Sequence, residues 1–164
     1  MLGRLDTRVL RAMRTRFHGR GPEAVARGVA TLGEYGAVWL VIGIALAIAD
    51  PDRGEDWILA GVLGPIAIGL NYAVKLIVRR PRPVLEGLPP LGGAPSSLSF
   101  PSAHVTSSFA CATAMTRIAP EAAVLFALAG AIAATRPYLG MHYPSDVLGG
   151  AALGAALGLV VPLS

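Results

Sequence analysis

Long apolar stretches alternate with short polar islands along this chain, and the pattern predicts five membrane-spanning helices. They run over residues 27–49, 57–78, 102–118, 121–137 and 145–163, the fourth being short of the ~20 residues needed to cross a bilayer. Pro65 falls inside the second and predicts a kink with a freed carbonyl. Gly150, Gly154 and Gly158 recur at four-residue spacing in the fifth. Such a small-residue seam suits close helix packing, within the chain first and between two copies second.

Ahead of these spans, Leu2, Leu5, Val9, Leu10, Met13 and Phe17 share one helical face, and Arg4, Arg8, Arg11, Arg14 and Arg16 occupy much of the rest. That predicts an amphipathic interfacial helix over residues 1–20, with a solvated basic leader as the alternative. No apolar run follows directly, so the segment does not read as a cleaved signal peptide. The expected fold class is all-α: an integral membrane helical bundle in one domain (1–164), with a catalytic core over 27–163.

Composition supports the bilayer as a partner. Of the 164 residues 54% are hydrophobic and 15% charged, and the mean hydropathy is +0.59; soluble domains carry about 25% charged residues. Net charge is +4, yet no basic patch interleaved with aromatics is present, so no nucleic-acid partner is expected. The single Cys111 reads as a small core residue and excludes an intrachain disulfide. No metal-ligand spacing accompanies the histidines, which predicts chemistry without a metal or other cofactor.

The polar islands are KLIVRRPRP, PSAH and TRPYLGMHYPSD. If the N-terminus lies inside, the five spans bring all three to one membrane face. Residues 1–27 hold seven Arg, against Arg53 and Arg117 in the opposite loops, which predicts a cytoplasmic site in the plasma membrane. Lys75, Arg82 and Arg136 are donors suited to a phosphate. Ser102 is a candidate N-cap whose helix start, with the N–H of Ala103, would cradle an anion. His104 stands in the first turn, able to protonate a leaving oxygen. His142 and Asp146, four residues apart, suit an imidazole oriented by a carboxylate.

Other positions carry lesser expectations. Arg79 and Arg80 read as headgroup anchors at a helix end. Glu34 pairs with a site arginine, touches the substrate headgroup, or is interfacial. Asn71 reads as an interhelical hydrogen-bonding residue, and Ser107 and Ser108 as packing residues. The Gly- and Pro-rich loop 84–99 is a headgroup contact or a plain connector.

Together the islands resemble the type 2 phosphatidic acid phosphatase family, whose pattern is K-x6-R-P, P-S-G-H and S-R-x5-H-x3-D. Lys75, Arg82-Pro83, Pro101-Ser102-Ala103-His104, Thr135-Arg136, His142 and Asp146 match it, with Ala103 in place of glycine and Thr135 in place of serine. The resemblance implies a lipid phosphatase in which His142 forms a phosphohistidine, Asp146 orients it, and His104 protonates the leaving alcohol and then activates water. It also implies that Lys75, Arg82, Ser102, Ala103 and Arg136 hold the phosphoryl oxygens. The Ala-, Arg- and Gly-rich composition is similar to actinobacterial members, one class of which takes the 5-phosphate from decaprenylphosphoryl-5-phosphoribose. Phosphatidylglycerophosphate and polyprenyl diphosphate stay open as substrates, a homodimer stays open, and a catalytically silent membrane scaffold is the non-enzyme alternative.

Overall fold

The structure is a computed structural model that describes residues 2–16, 18–92 and 98–164. Among these, seven α-helices form: α1 (Leu2–Thr15), α2 (Arg20–Leu32), α3 (Ala37–Ala49), α4 (Gly54–Val78), α5 (Ala103–Ile118), α6 (Leu125–Tyr138) and α7 (Pro144–Val160). Short 3-10 turns at Glu34–Gly36, Pro51–Arg53 and Pro120–Val124 join neighbours. The all-α expectation holds. Phe17, and residues 93–97 of the loop 84–99, lie outside the described residues.

The expected first span is not one helix. It divides into α2 and α3, bent by 46°. At the break Tyr35 and Gly36 take left-handed φ of 55° and 71°. Gly36 also lies so close to α4 that a Cβ there would sit 3.0 Å from the Gly64 carbonyl carbon. Apolar periodicity registers side-chain polarity and misses such an elbow, which depends on backbone dihedrals and close approach. The elbow brings Glu34 beside the site described below.

By length and composition, the helical segment Pro51–Val78 is able to cross a membrane, and α2 with α3 makes a second candidate if the bent pair counts as one. α5 and α6, at 16 and 14 residues, are shorter than the ~20 expected of a spanning helix. α7 is apolar and 17 residues long. The apolar segments are therefore helical where expected, but their lengths alone mark only one or two clear spans.

α4 runs through Pro65 as one helix. Proline has no N–H for the carbonyl four residues back, here Gly61. That carbonyl instead faces the buried thiol of Cys111 on α5, with the sulfur 4.0 Å away. The freed carbonyl and the core cysteine are two halves of one contact.

The core gathers Trp39, Trp57, Met115 and Ile132 with many alanines. Small residues let the helices approach: Gly43 and Gly61 bring α3 onto α4, and Gly150, Gly154 and Gly158 bring α7 onto α5. A Cβ at Gly158 would lie 2.5 Å from the Ala110 carbonyl oxygen, so the glycine seam serves internal packing. Buried polar groups find partners across helices. Trp39 Nε1 donates to Ser108 Oγ at 3.1 Å, and Asn71 Nδ2 to Thr106 Oγ1 at 2.9 Å.

α1 docks on α6 and α7. Among its described side chains Leu10, Asp6 and Arg14 are buried, while Leu5 and Val9 stay exposed. Arg14 donates to the Pro89 carbonyl at 2.6 Å and packs on Gly140, which takes a positive φ. The helix is thus held by polar as well as apolar contacts, more firmly than an amphipathic pattern alone conveys.

Candidate active site

Four helix ends meet at one end of the bundle. The C-termini of α4 and α6 deliver Lys75 and Arg136, and the N-termini of α5 and α7 deliver Ser102 to His104 and His142 to Asp146. Arg82 follows α4 after Pro81. Arg53 and Arg117 lie at the opposite end, where Arg117 donates to the terminal carbonyls of Gly158 and Val161. The structure brings all seven polar residues of the motifs together, with Ala103 among them.

A cavity of about 270 Å³ opens there, lined by Arg82, His104, Arg136 and His142 and edged by Arg27, Thr31 and Glu34. Glu34 is exposed at the elbow, on the cavity wall. Gly33 gives His104 its room, since a Cβ there would lie 2.9 Å from the imidazole. Gly92 of the loop 84–99 also reaches the lining.

His142 is 2% exposed. Its Nδ1 lies 3.6 Å from Asp146 Oδ2 and 3.5 Å from Ser99 Oγ. Its Nε2 faces Arg82 Nη1 at 3.5 Å. With the proton on Nδ1, beside the carboxylate, the Nε2 lone pair points toward the cationic side. Burial pushes the imidazole down to about 4, with Arg82, Arg136 and Lys75 adding to that against Asp146. His142 is therefore neutral at pH 7, the state in which it can act as a nucleophile.

Asp146 is fully buried and fully engaged. One oxygen accepts from Arg80 at 2.8 Å. The other accepts the Tyr143 N–H at 2.8 Å and a short hydrogen bond from the Ser99 hydroxyl. It therefore caps α7 while facing His142.

Ser102 occupies the N-cap position of α5, but its hydroxyl makes no capping bond and is buried without a partner. Its own N–H is taken by the Asp146 carbonyl at 3.0 Å. The first-turn amides of α5, beginning with Ala103, have no intrahelical acceptor. Arg136 Nε is likewise buried and unpartnered. Unsatisfied buried donors of this kind cost stability unless a ligand meets them. Lys75 donates to the Leu98 and Ser99 carbonyls at 2.7 and 3.2 Å, leaving one of its three protons for another acceptor. The Thr135 hydroxyl bonds back to the Ile132 carbonyl at 2.6 Å, so threonine at that position spends its polar group inside α6.

Arg80 corrects an expectation. It is not a headgroup anchor: its guanidinium pairs with Asp6 of α1 and with Asp146, each at 2.8 Å. Arg79 does lie at the surface, closing α4 in a left-handed conformation. Asp6, Arg80 and Ser99 are the residues around the site that motif reading misses. Asp6 carried one signal, as the only acid in a helix of arginines.

Among the described residues no group of His, Cys, Asp and Glu is arranged to hold a metal ion. The arrangement can grip a tetrahedral anion from several sides and attack it with a neutral imidazole, with a second imidazole, His104, on the cavity wall.

A family model described as the PAP2 superfamily matches residues 57–164. The chain is 41% identical over 141 residues to the decaprenylphosphoryl-5-phosphoribose phosphatase of Mycobacterium tuberculosis, covering 86% of this chain and 79% of that protein. Among solved structures, Aquifex aeolicus LpxE aligns with a TM-score of 0.78 and 28% identity, covering 95% of this chain and 93% of that one. The transmembrane PAP2-type phosphatidylglycerolphosphate phosphatase of Bacillus subtilis aligns at 0.77 and 24% identity, over 98% and 84%. That second likeness is one of fold.

Proposed function

This chain belongs to the PAP2 superfamily of lipid phosphatases, and we propose that it removes the 5-phosphate from decaprenylphosphoryl-5-phosphoribose, without a metal, through a phosphohistidine on His142. The observation that carries the chemistry is the cavity itself. Cations ring a neutral, buried histidine there, and Ser102 Oγ and Arg136 Nε stand buried with nothing to bind. The mycobacterial relative supports the choice of lipid.

His142 Nε2 attacks phosphorus in line as the ester P–O bond breaks. Asp146 stabilises the positive charge that develops on the imidazole. His104, as the imidazolium that a bound phosphate dianion favours, gives its proton to the leaving C5 oxygen. It then takes a proton from water, whose oxygen attacks the phosphohistidine, releasing inorganic phosphate and restoring both histidines. Lys75, Arg82, Arg136, Ser102 and the Ala103 N–H hold the three equatorial oxygens throughout. Such preorganised donors stabilise the transition state more than the ground state.

The protein sits in the plasma membrane as five spans, α2 with α3 counting as one, with the site at the cytoplasmic face. The Arg-rich N-terminal segment supports that orientation. Glu34 at the cavity edge fits a headgroup bearing hydroxyls, which a carboxylate can accept from, better than a diphosphate, which it repels.

The test is phosphate release by purified protein in EDTA from the phosphoribosyl polyprenyl lipid, a polyprenyl diphosphate and phosphatidylglycerophosphate, side by side. The first should turn over fastest, and His142→Ala should abolish turnover. Preference for either other lipid would overturn the substrate, and full activity of His142→Ala would overturn the nucleophile.

A further inference from the structure

Behind the cavity wall, a second polar cluster ties the first helix to the start of the last. Arg80 spreads its fork across it: Nη1 donates to Asp146 Oδ1 at 2.8 Å and to Ser145 Oγ at 2.6 Å, and Nη2 donates to Asp6 Oδ2 at 2.8 Å. The guanidinium also lies 4.2 Å from the centre of the Tyr143 ring. Asp6 accepts the Ser145 N–H at 3.0 Å and a short bond from its hydroxyl. Burial opposes the Asp6 charge, yet the bonds from Ser145 and Arg80 outweigh it and hold the carboxyl below the usual range. Neither Asp6 nor Arg80 is among the residues lining the cavity, so neither is placed to meet substrate.

We propose that Arg80 and Asp6 are positioning residues for Asp146: Arg80 fixes Oδ1 so that Oδ2 keeps facing His142, and Asp6 on α1 holds Arg80 in that pose. This rests on His142 being the nucleophile. A buried carboxylate needs a partner, and a planar fork can satisfy two carboxylates at set angles where an ammonium cannot. Asp146 has its second oxygen committed to Tyr143 and Ser99. Arg80 supplies the charged partner of the first, so that both oxygens are held and the carboxyl keeps its plane beside His142. Because Asp6 belongs to α1, the docking of the N-terminal helix is coupled to the geometry of the nucleophile.

The test is steady-state kinetics of the full chain in detergent with a short-chain polyprenylphosphoryl-5-phosphoribose, or with whichever lipid of the panel turns over fastest. Arg80→Gln should lower kcat on the order of 30- to 100-fold and Asp6→Asn about 5- to 10-fold, with KM within about threefold of the parent for each. The double variant should be no slower than Arg80→Gln alone, since both act through one contact. Arg80→Lys should recover only a minor part of kcat. Size-exclusion profiles and melting curves report whether each variant is folded. If Arg80→Gln does not fold, Asp6→Asn with Ser145→Ala carries the same cycle. A folded Asp6→Asn with kcat within twofold of the parent, losses that multiply in the double variant, or a raised KM at unchanged kcat would each overturn the proposal. His142→Ala separates the two readings: if it is inactive while Asp6→Asn and Arg80→Gln are normal, only the positioning role fails.

Discussion

Asp146 turns one carboxylate oxygen to two tasks: Oδ2 accepts the Tyr143 N–H that starts α7 and lies 3.6 Å from Nδ1 of His142. A single carboxylate thus meets both the helix start and the imidazole. Asp146→Asn keeps an oxygen for the cap but turns its NH2 toward Arg80 and loses the charge, so kcat should fall on the order of 10²- to 10⁴-fold and the melting temperature should fall with it. Asp146→Ala should lose in addition ~1 kcal/mol of cap stability, read from melting curves. Equal melting temperatures for the two variants would show that the cap contributes nothing.

The state of His142 gives a second prediction. Its folded value of about 4 lies below the ordinary 6.5. In selectively labelled protein the His142 ring resonances should show the neutral form at pH 6 and titrate near 4; a midpoint above 6 would contradict the burial argument. The linkage has a definite sign. The unfolded chain binds a proton at this site at higher pH than the folded one, so the contribution to stability is full above 6.5. It is lost as pH falls toward 4. Melting temperature of the parent should drop across that window more than that of His142→Gln.

Packing at the glycine seam yields a third. Gly154→Ala would drive a methyl into the Thr106 carbonyl, whereas Gly69, with nothing within 4 Å, has room for one. Gly154→Ala should destabilise the protein by about 1–3 kcal/mol and displace α5, and hence Ser102 and His104, from α7. Gly69→Ala should be neutral or slightly stabilising. Melting curves and phosphatase assays of the pair check this, and equal behaviour would remove the seam from the account.

Topology can be read by labelling intact cells with an impermeant thiol reagent. Asp52→Cys should label and Glu86→Cys, on the site side, should not, both in a Cys111→Ser background. Serine keeps a donor for the Gly61 carbonyl that Pro65 leaves free. Labelling of Glu86→Cys from outside would place the site on the outer face.

Much of this protein could be read along the chain. Lys75, Arg82, His104, Arg136, His142 and Asp146 announce themselves because charged and imidazole groups are costly in an apolar setting and stand out at fixed spacings. The helical character of the apolar segments follows from the same contrast, as does the internal role of Gly150, Gly154 and Gly158. The elbow at Gly33 to Gly36 was hidden, because left-handed backbone at Tyr35 leaves no mark in polarity. Arg80 eludes the sequence for a different reason. A basic residue at a helix end looks the same whether it meets headgroups or a carboxylate 66 residues away. Asp6 and Ser99 likewise acquire meaning only through partners distant in sequence, Ser145 and Asp146. Residue types and spacing name the chemistry, since a phosphate demands particular donors; which groups brace that chemistry is decided by contacts that exist only once α1, α4 and α7 have packed.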